Sequence, residues 1–142
     1  MGFDESLDIG KQYEDIVLNM IQQKYPKAYK IEGYYKDFDI FIPELGVGVE
    51  VKSDQKSQYT GNIVIEIEYN GKPSALSTTK AAYWVVYDGE SFVWFTPGKI
   101  QSCIDENNLT VAKFKGRGDH HFKKAYLIKK DLLYRYAVKI NT

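Results

Sequence analysis

Residues 37–53, DFDIFIPELGVGVEVKS, set Asp37, Asp39, Glu50 and Lys52 among valines, isoleucines and phenylalanines. Side chains along a strand alternate between its two faces. Val47, Val49 and Val51 therefore share one face, and Gly48, Glu50 and Lys52 share the other. Glu50 and Lys52 then stand roughly 7 Å apart along the strand. In the preceding strand Phe38, Ile40 and Ile42 share one face, with Asp37, Asp39 and Phe41 opposite. The turn PELG, at 43–46, lets the two strands pair antiparallel and brings Asp39 toward Glu50. Two carboxylates that close repel unless a proton, a lysine or a divalent cation lies between them. Hard oxygen donors suit Mg²⁺, with Mn²⁺ able to substitute, and such ions keep several waters and take one or two protein carboxylates. The carbonyl of Val51 is a further candidate ligand. A lysine beside such a site can orient or help deprotonate an attacking water and neutralise charge developing on a phosphate. These are the parts needed to hydrolyse a phosphodiester. Asp37 is a rival to Asp39, which is preferred because apolar residues flank it on both sides.

The elements around this stretch follow from periodicity. Residues 6–24 read as an amphipathic helix, with Ile9, Tyr13, Ile16, Val17, Met20 and Ile21 on one stripe and Glu14 on its flank. Ser6 or Asp8 can cap its start, and Tyr25-Pro26 marks its end. The period then changes from 3.6 to 2, predicting strands at 28–35, 38–42, 47–53 and 62–69. NGKPS, at 70–74, is a turn signal, and 75–82 leaves room for a short helix before the strand YWVVY. Asp88-Gly89 predicts a hairpin returning along SFVWF. PGKIQSCIDEN reads as a helix, KFKGRGDHHFKK as a basic loop, AYLI as a strand, and KKDLLYRYAV as a last short helix. This order implies a single α/β domain over residues 1–142 with a mixed sheet.

Composition narrows the class of function. The 142 residues carry 19 basic and 19 acidic groups, for a formal net charge of zero. The charge is unevenly spread, because residues 111–142 hold nine Lys and Arg against two Asp, leaving the first 110 residues acidic. A basic C-terminal third can track phosphates while an acidic cluster elsewhere holds a cation. The single cysteine, Cys103, excludes an internal disulfide framework and suits a reducing, cytoplasmic setting. It stands between Ile100 and Ile104 and reads as a buried helix residue. No apolar run approaches a membrane span, and the first residues lack a signal-peptide pattern. A Gly-rich phosphate loop and a serine-hydrolase elbow are both missing.

Asp39, ten intervening residues and then Glu50-Val51-Lys52 resembles the signature of the PD-(D/E)XK nuclease superfamily. Over residues 9–88 the order of helix, hairpin, third strand, helix and strand is also similar to it. The stretch 50–87 further resembles small phage-encoded members. The resemblance implies a restriction-endonuclease-like core in αβββαβ order and a Mg²⁺-dependent DNA endonuclease that leaves 5′-phosphate ends. Asp39 and Glu50 would hold the metal, Lys52 would position the attacking water, and Glu14 would complete the site through a bridging water. A phage origin would place the protein in a bacterial host cell. A junction resolvase, with its usual homodimer, is the alternative within the superfamily. A catalytically idle DNA-binding or interaction module on the same fold is the alternative outside enzymes. Phe38 stands where the nominal motif has Pro.

Other polar residues fit more than one reading. Glu14 also suits a plain helix surface. Glu66 and Glu68 share a predicted strand face with Val64, and one of them can approach the metal; charges that guard a sheet edge would look the same. Thr78, Thr79 and Lys80 can meet a phosphate at a helix start, although capping accounts for the threonines equally well. Lys113, Lys115, Arg117 and His120 form a basic stretch suited to DNA. His120-His121 lacks a partner at zinc-ligand spacing.

Overall fold

Apolar residues three and four apart build the first helix, α1 (Phe3–Gln22). A computed structural model describes residues 3–34, 36–115 and 120–141, with side chains described from Gly10 onward. Arg117 and the side chains of Ser6 and Asp8 lie outside the described residues. Val17 and Ile21 of α1 are buried, with Leu18 and Tyr25 packed beside them. Ile16, predicted on this stripe, is 42% exposed. The helix is rotated so that Leu18 takes its place against the sheet.

Strands β1 (Tyr29–Lys30) and β2 (Ile40–Ile42) are shorter than their alternation predicts. Gly33 adopts a φ of +114°, which ends the extended run after β1. The turn at 43–46 closes on a hydrogen bond from the Gly46 N–H to the Ile42 carbonyl at 2.8 Å. It leads into β3 (Val47–Ser53), which matches its predicted span. Phe38 departs from parity. It precedes β2 and turns its ring to the Phe41 side, stacking on Phe41 with centroids 6.0 Å apart. The ring lies over Gly48, where a Cβ would fall 2.1 Å from Phe38 Cγ. Only glycine at 48 admits it.

The chain continues through α2 (Ser57–Thr60), β4 (Asn62–Tyr69) and β5 (Lys72–Pro73). A 3₁₀ turn at Ala75–Ser77 stands where a short helix was predicted. Then come β6 (Tyr83–Tyr87), β7 (Phe92–Phe95) and α3 (Pro97–Glu106), which Thr96 caps by accepting from the Lys99 N–H. β8 (Ala112–Phe114) and the start of β9 (Lys123–Lys129) take up the two ends of what read as a basic loop. The chain closes with α4 (Lys130–Leu133), a second 3₁₀ turn at Tyr134–Tyr136, and β10 (Lys139–Asn141).

Two sheets form where one was predicted. The larger has the order β1-β2-β3-β6-β7-β10 and is antiparallel except for the parallel pair β3–β6. The smaller is antiparallel, in the order β5-β4-β9-β8. A parallel pair needs a long crossover, usually a helix. Here the crossover leaves the larger sheet as β4 and pairs elsewhere. The reason is apolar: Ile63, Ile65 and Ile128 bury their side chains against Trp84, Val86 and Phe95 of the larger sheet. α3 adds Ile100, Cys103 and Ile104 to the same core, and α1 covers the opposite face. The protein is thus mixed α/β, with a mixed sheet and flanking helices. Among the described residues no helix is long and apolar enough to cross a membrane.

The Asp88-Gly89 hairpin forms as predicted, with Gly89 at a φ of +102°. Asp88 is buried beneath it. One carboxylate oxygen accepts from the Glu90 and Ser91 N–H groups at 2.8 and 2.7 Å. The other accepts from the Tyr134 hydroxyl at 2.6 Å and lies 3.8 Å from Lys130 Nζ. The Ser57 hydroxyl donates to the Asp88 backbone carbonyl at 3.2 Å. One side chain therefore ties the hairpin to the C-terminal turns.

Candidate active site

The register sets Ile40 against Val49, so Asp39, one step outside the ladder, faces Glu50 as the alternation predicts. The Asp39 N–H donates to the Val49 carbonyl at 2.9 Å. Asp39 is a buried residue, 7% exposed; its Oδ2 accepts from the Val51 N–H at 2.7 Å. Val51 has the parity of Val49, so its carbonyl also leaves β3 on the β2 side. Lys36 Nζ lies 3.0 Å from Asp39 Oδ1, 3.5 Å from Glu14 Oε1 and 3.4 Å from the Ile31 carbonyl. Sequence reading missed Lys36. It falls in a connection without regular structure, and its only signal was a place three residues before Asp39.

The charges strain against one another. Glu50 is pushed up to about 8 by burial, then by hydrogen bonding and charge repulsion from Asp39, with Lys52 and Lys36 pulling the other way. Glu14 is also raised, by burial and the Asp39 charge, against the pull of Lys36 and Lys30. Burial disfavours the Lys36 ammonium, but the hydrogen bond and charge of Asp39, with those of Glu14, outweigh it and raise its pKa. For Glu50 the folded value lies above the ordinary 4.5. Its contribution to stability is therefore full below about pH 4.5 and is lost as pH rises through about 8. In EDTA the melting temperature should fall between pH 5 and 8, and Glu50→Gln should flatten that slope. An unchanged slope in the variant would assign it to other groups.

No family model, curated protein or solved structure matches this chain.

A cleft of about 450 Å³ opens over Glu50, bordered also by Lys36, Lys52, Glu66, Thr79 and Lys80, while Asp39 lies buried behind it. Lys52 is exposed on its floor, with Nζ 5.5 Å from the Trp84 ring centroid. Asp37 sits at the rim; its side chain is 61% exposed and lies 3.7 Å from Lys80 Nζ. Thr79 does not stand at a helix start, since 75–77 is a 3₁₀ turn. Its hydroxyl oxygen instead accepts from the Trp84 Nε1–H at 3.0 Å and the Ala81 N–H at 3.2 Å. A β-bulge separates Glu66 from Glu68 and breaks the face they were predicted to share. Glu66 joins the cleft, accepting from the Ser74 hydroxyl at 2.8 Å. Glu68 turns to Lys124, at 3.5 Å.

The basic residues gather apart from the carboxylates. Lys113, His120, His121, Phe122 and Lys124 border a second cleft of about 320 Å³, with Glu68 on its edge. Lys113 and Lys115 each hold Nζ 5.0 Å from the Phe122 ring centroid. Arg117, predicted with them, lies outside the described residues. β4 links the two clefts, with Glu66 in one and Glu68 in the other.

Among the described residues no group of three or more His, Cys, Asp or Glu side chains is placed to hold a metal ion. A pair suffices for Mg²⁺, which takes one or two carboxylates and fills its remaining positions with water. Asp39 and Glu50, with the Val51 carbonyl on the same side, are such a pair. Their mutual repulsion is what a cation would relieve. The residues fit.

Proposed function

We propose that this chain is a metal-dependent deoxyribonuclease of the PD-(D/E)XK type, on a restriction-endonuclease-like core. The observation that carries the reading is Asp39 facing Glu50 across an antiparallel pair, with Glu50 and Lys52 on one cleft. The order α1, β1, β2, β3 and then β6 parallel to β3 supports it, although β4 and β5 stand in most of the crossover where a helix is expected. A divalent ion held by Asp39, Glu50 and the Val51 carbonyl would neutralise phosphate charge and lower the pKa of a water. The chain supplies the rest. Lys52 is exposed on the cleft floor, free to donate hydrogen bonds to the attacking water and to balance charge on the phosphoryl oxygens. Water adds to phosphorus as the bond to the 3′ oxygen breaks, leaving a 5′-phosphate and a 3′-hydroxyl. Lys80 at the rim, Lys113 and His120 in the second cleft and Lys115 beside Phe122 would track the DNA backbone along β4.

The test is cleavage of supercoiled plasmid with Mg²⁺, with Mn²⁺ and with EDTA. Nicking or linearisation in either metal and none in EDTA is expected. Silence on plasmid, branched and single-stranded DNA, with no Mn²⁺ shift in melting temperature, would leave an interaction module.

A further inference from the structure

Among the described residues, Lys36 is the one cation paired with two carboxylates of the candidate site at once. Its Nζ is surrounded by Asp39 Oδ1, Glu14 Oε1 and the Ile31 carbonyl. These oxygens come from the residue just before β2, from α1 and from the connection after β1. Two carboxylates and a carbonyl are also donors that a hard divalent ion uses. We propose that Lys36 is a tethered cation that occupies the carboxylate cluster of the metal-free protein and competes with a divalent ion for Asp39. The inference rests on the metal-site reading above.

Three observations support competition rather than a fixed structural pair. Asp39 is the shared group: its Oδ2 is already held by the Val51 N–H, so Lys36 sits on the oxygen left for a metal. Lys36 precedes β2 and belongs to no strand or helix, so a long flexible stem can move without breaking a ladder. Lys36 also borders the cleft with Glu50, Lys52 and Lys80. Displaced from Asp39, its ammonium has open space beside the other cations. Metal entry would then release a positive charge into the path proposed for a phosphate, making Lys36 a positioning residue for both ligands.

Calorimetric titration of the intact chain with Mn²⁺ tests this without any cleavage assay. Lys36→Gln removes the competing charge and should bind Mn²⁺ about tenfold more tightly, a modest fraction of the repulsion between a divalent ion and an ammonium a few ångström away. Lys36→Gln should also melt lower than wild type in EDTA and recover on adding Mn²⁺. Lys36→Arg should change affinity in the opposite direction, several-fold weaker, because a guanidinium grips a carboxylate with two parallel hydrogen bonds. If Lys36→Gln does not fold, Lys36→Arg decides alone. Equal Mn²⁺ affinity in wild type and variants would overturn the competition and leave the metal site standing. No Mn²⁺ binding by any of the three would overturn the metal site itself, and the competition with it.

Discussion

Lys52→Ala should slow plasmid cleavage in Mg²⁺ by about 10²–10³-fold, the usual cost of losing one group aimed at developing charge. Its melting temperature should stay within about 2 °C of wild type, since most exposed substitutions are worth at most about 0.5 kcal/mol. Lys52 is exposed, and its described contact is with the Trp84 ring. Activity and folding therefore separate cleanly at this residue. They do not separate in Asp39→Ala, which leaves the Val51 N–H without its acceptor and Lys36 without its nearest carboxylate. Asp39→Asn is the sharper probe. The amide oxygen can still accept from Val51, while the charge that would hold a metal is gone. Cleavage should fall as far as in Lys52→Ala, with much of the stability kept. Undiminished cutting by Lys52→Ala, or cutting that survives EDTA, would move the chemistry away from this cleft.

The second large effect is structural and lies away from the carboxylate pair. Asp88→Ala should lower stability by about 3 kcal/mol, because it removes a buried acceptor and leaves several donors unmatched. For a chain of this size that is a fall of roughly 6–12 °C in melting temperature. The four donors are the Glu90 and Ser91 N–H groups, the Tyr134 hydroxyl and, at longer range, Lys130. Burial pushes the Asp88 carboxyl up, but these hydrogen bonds and the Lys130 charge more than offset it and hold the pKa below its ordinary 3.8. The sign follows from linkage. The contribution is present above the unfolded pKa and is lost as pH falls through the folded one. Stability should therefore decline on acidification below about pH 4, and Asp88→Asn should blunt that decline. Chemical denaturation at pH 3 and pH 6 measures it. A variant with the wild-type acid limb would place the acid sensitivity in other carboxylates.

The face carrying Glu50 and Lys52 was legible because β3 keeps strict alternation over its whole span, and a short turn fixes its partner's register. The same rule failed at Phe38, which precedes the strand and so escapes the alternation. It failed again at Glu66 and Glu68, where a bulge invisible in the residue pattern inserts a step. Lys36 was out of reach for a different reason. Glu14, its partner on α1, meets it only once that helix has docked on the sheet. The division into two sheets was hidden because Ile63 and Ile65 look alike whether they cover helices or another sheet. The body of β9 was legible in AYLI, whereas β8 and the first residues of β9 were obscured by lysines, which on composition alone read as a solvated loop.

The pairing of β4 with β9 has a consequence for how the molecule comes together. The hairpin holding Asp39 and Glu50 closes across four residues, whereas the β4–β9 ladder joins positions from Tyr69 with Lys123 out to Asn62 with Lys129. By loop-closure entropy the longer connection costs about 2 kcal/mol more before any contact repays it. Local pairings of low sequence separation form early, and distant ones late. The hairpin holding Asp39 and Glu50 should thus belong to the folding nucleus, and the second sheet should be added last, with φ-values near zero along β4 and β9. The cleft acquires its far wall, and the basic track its support, only in that final step.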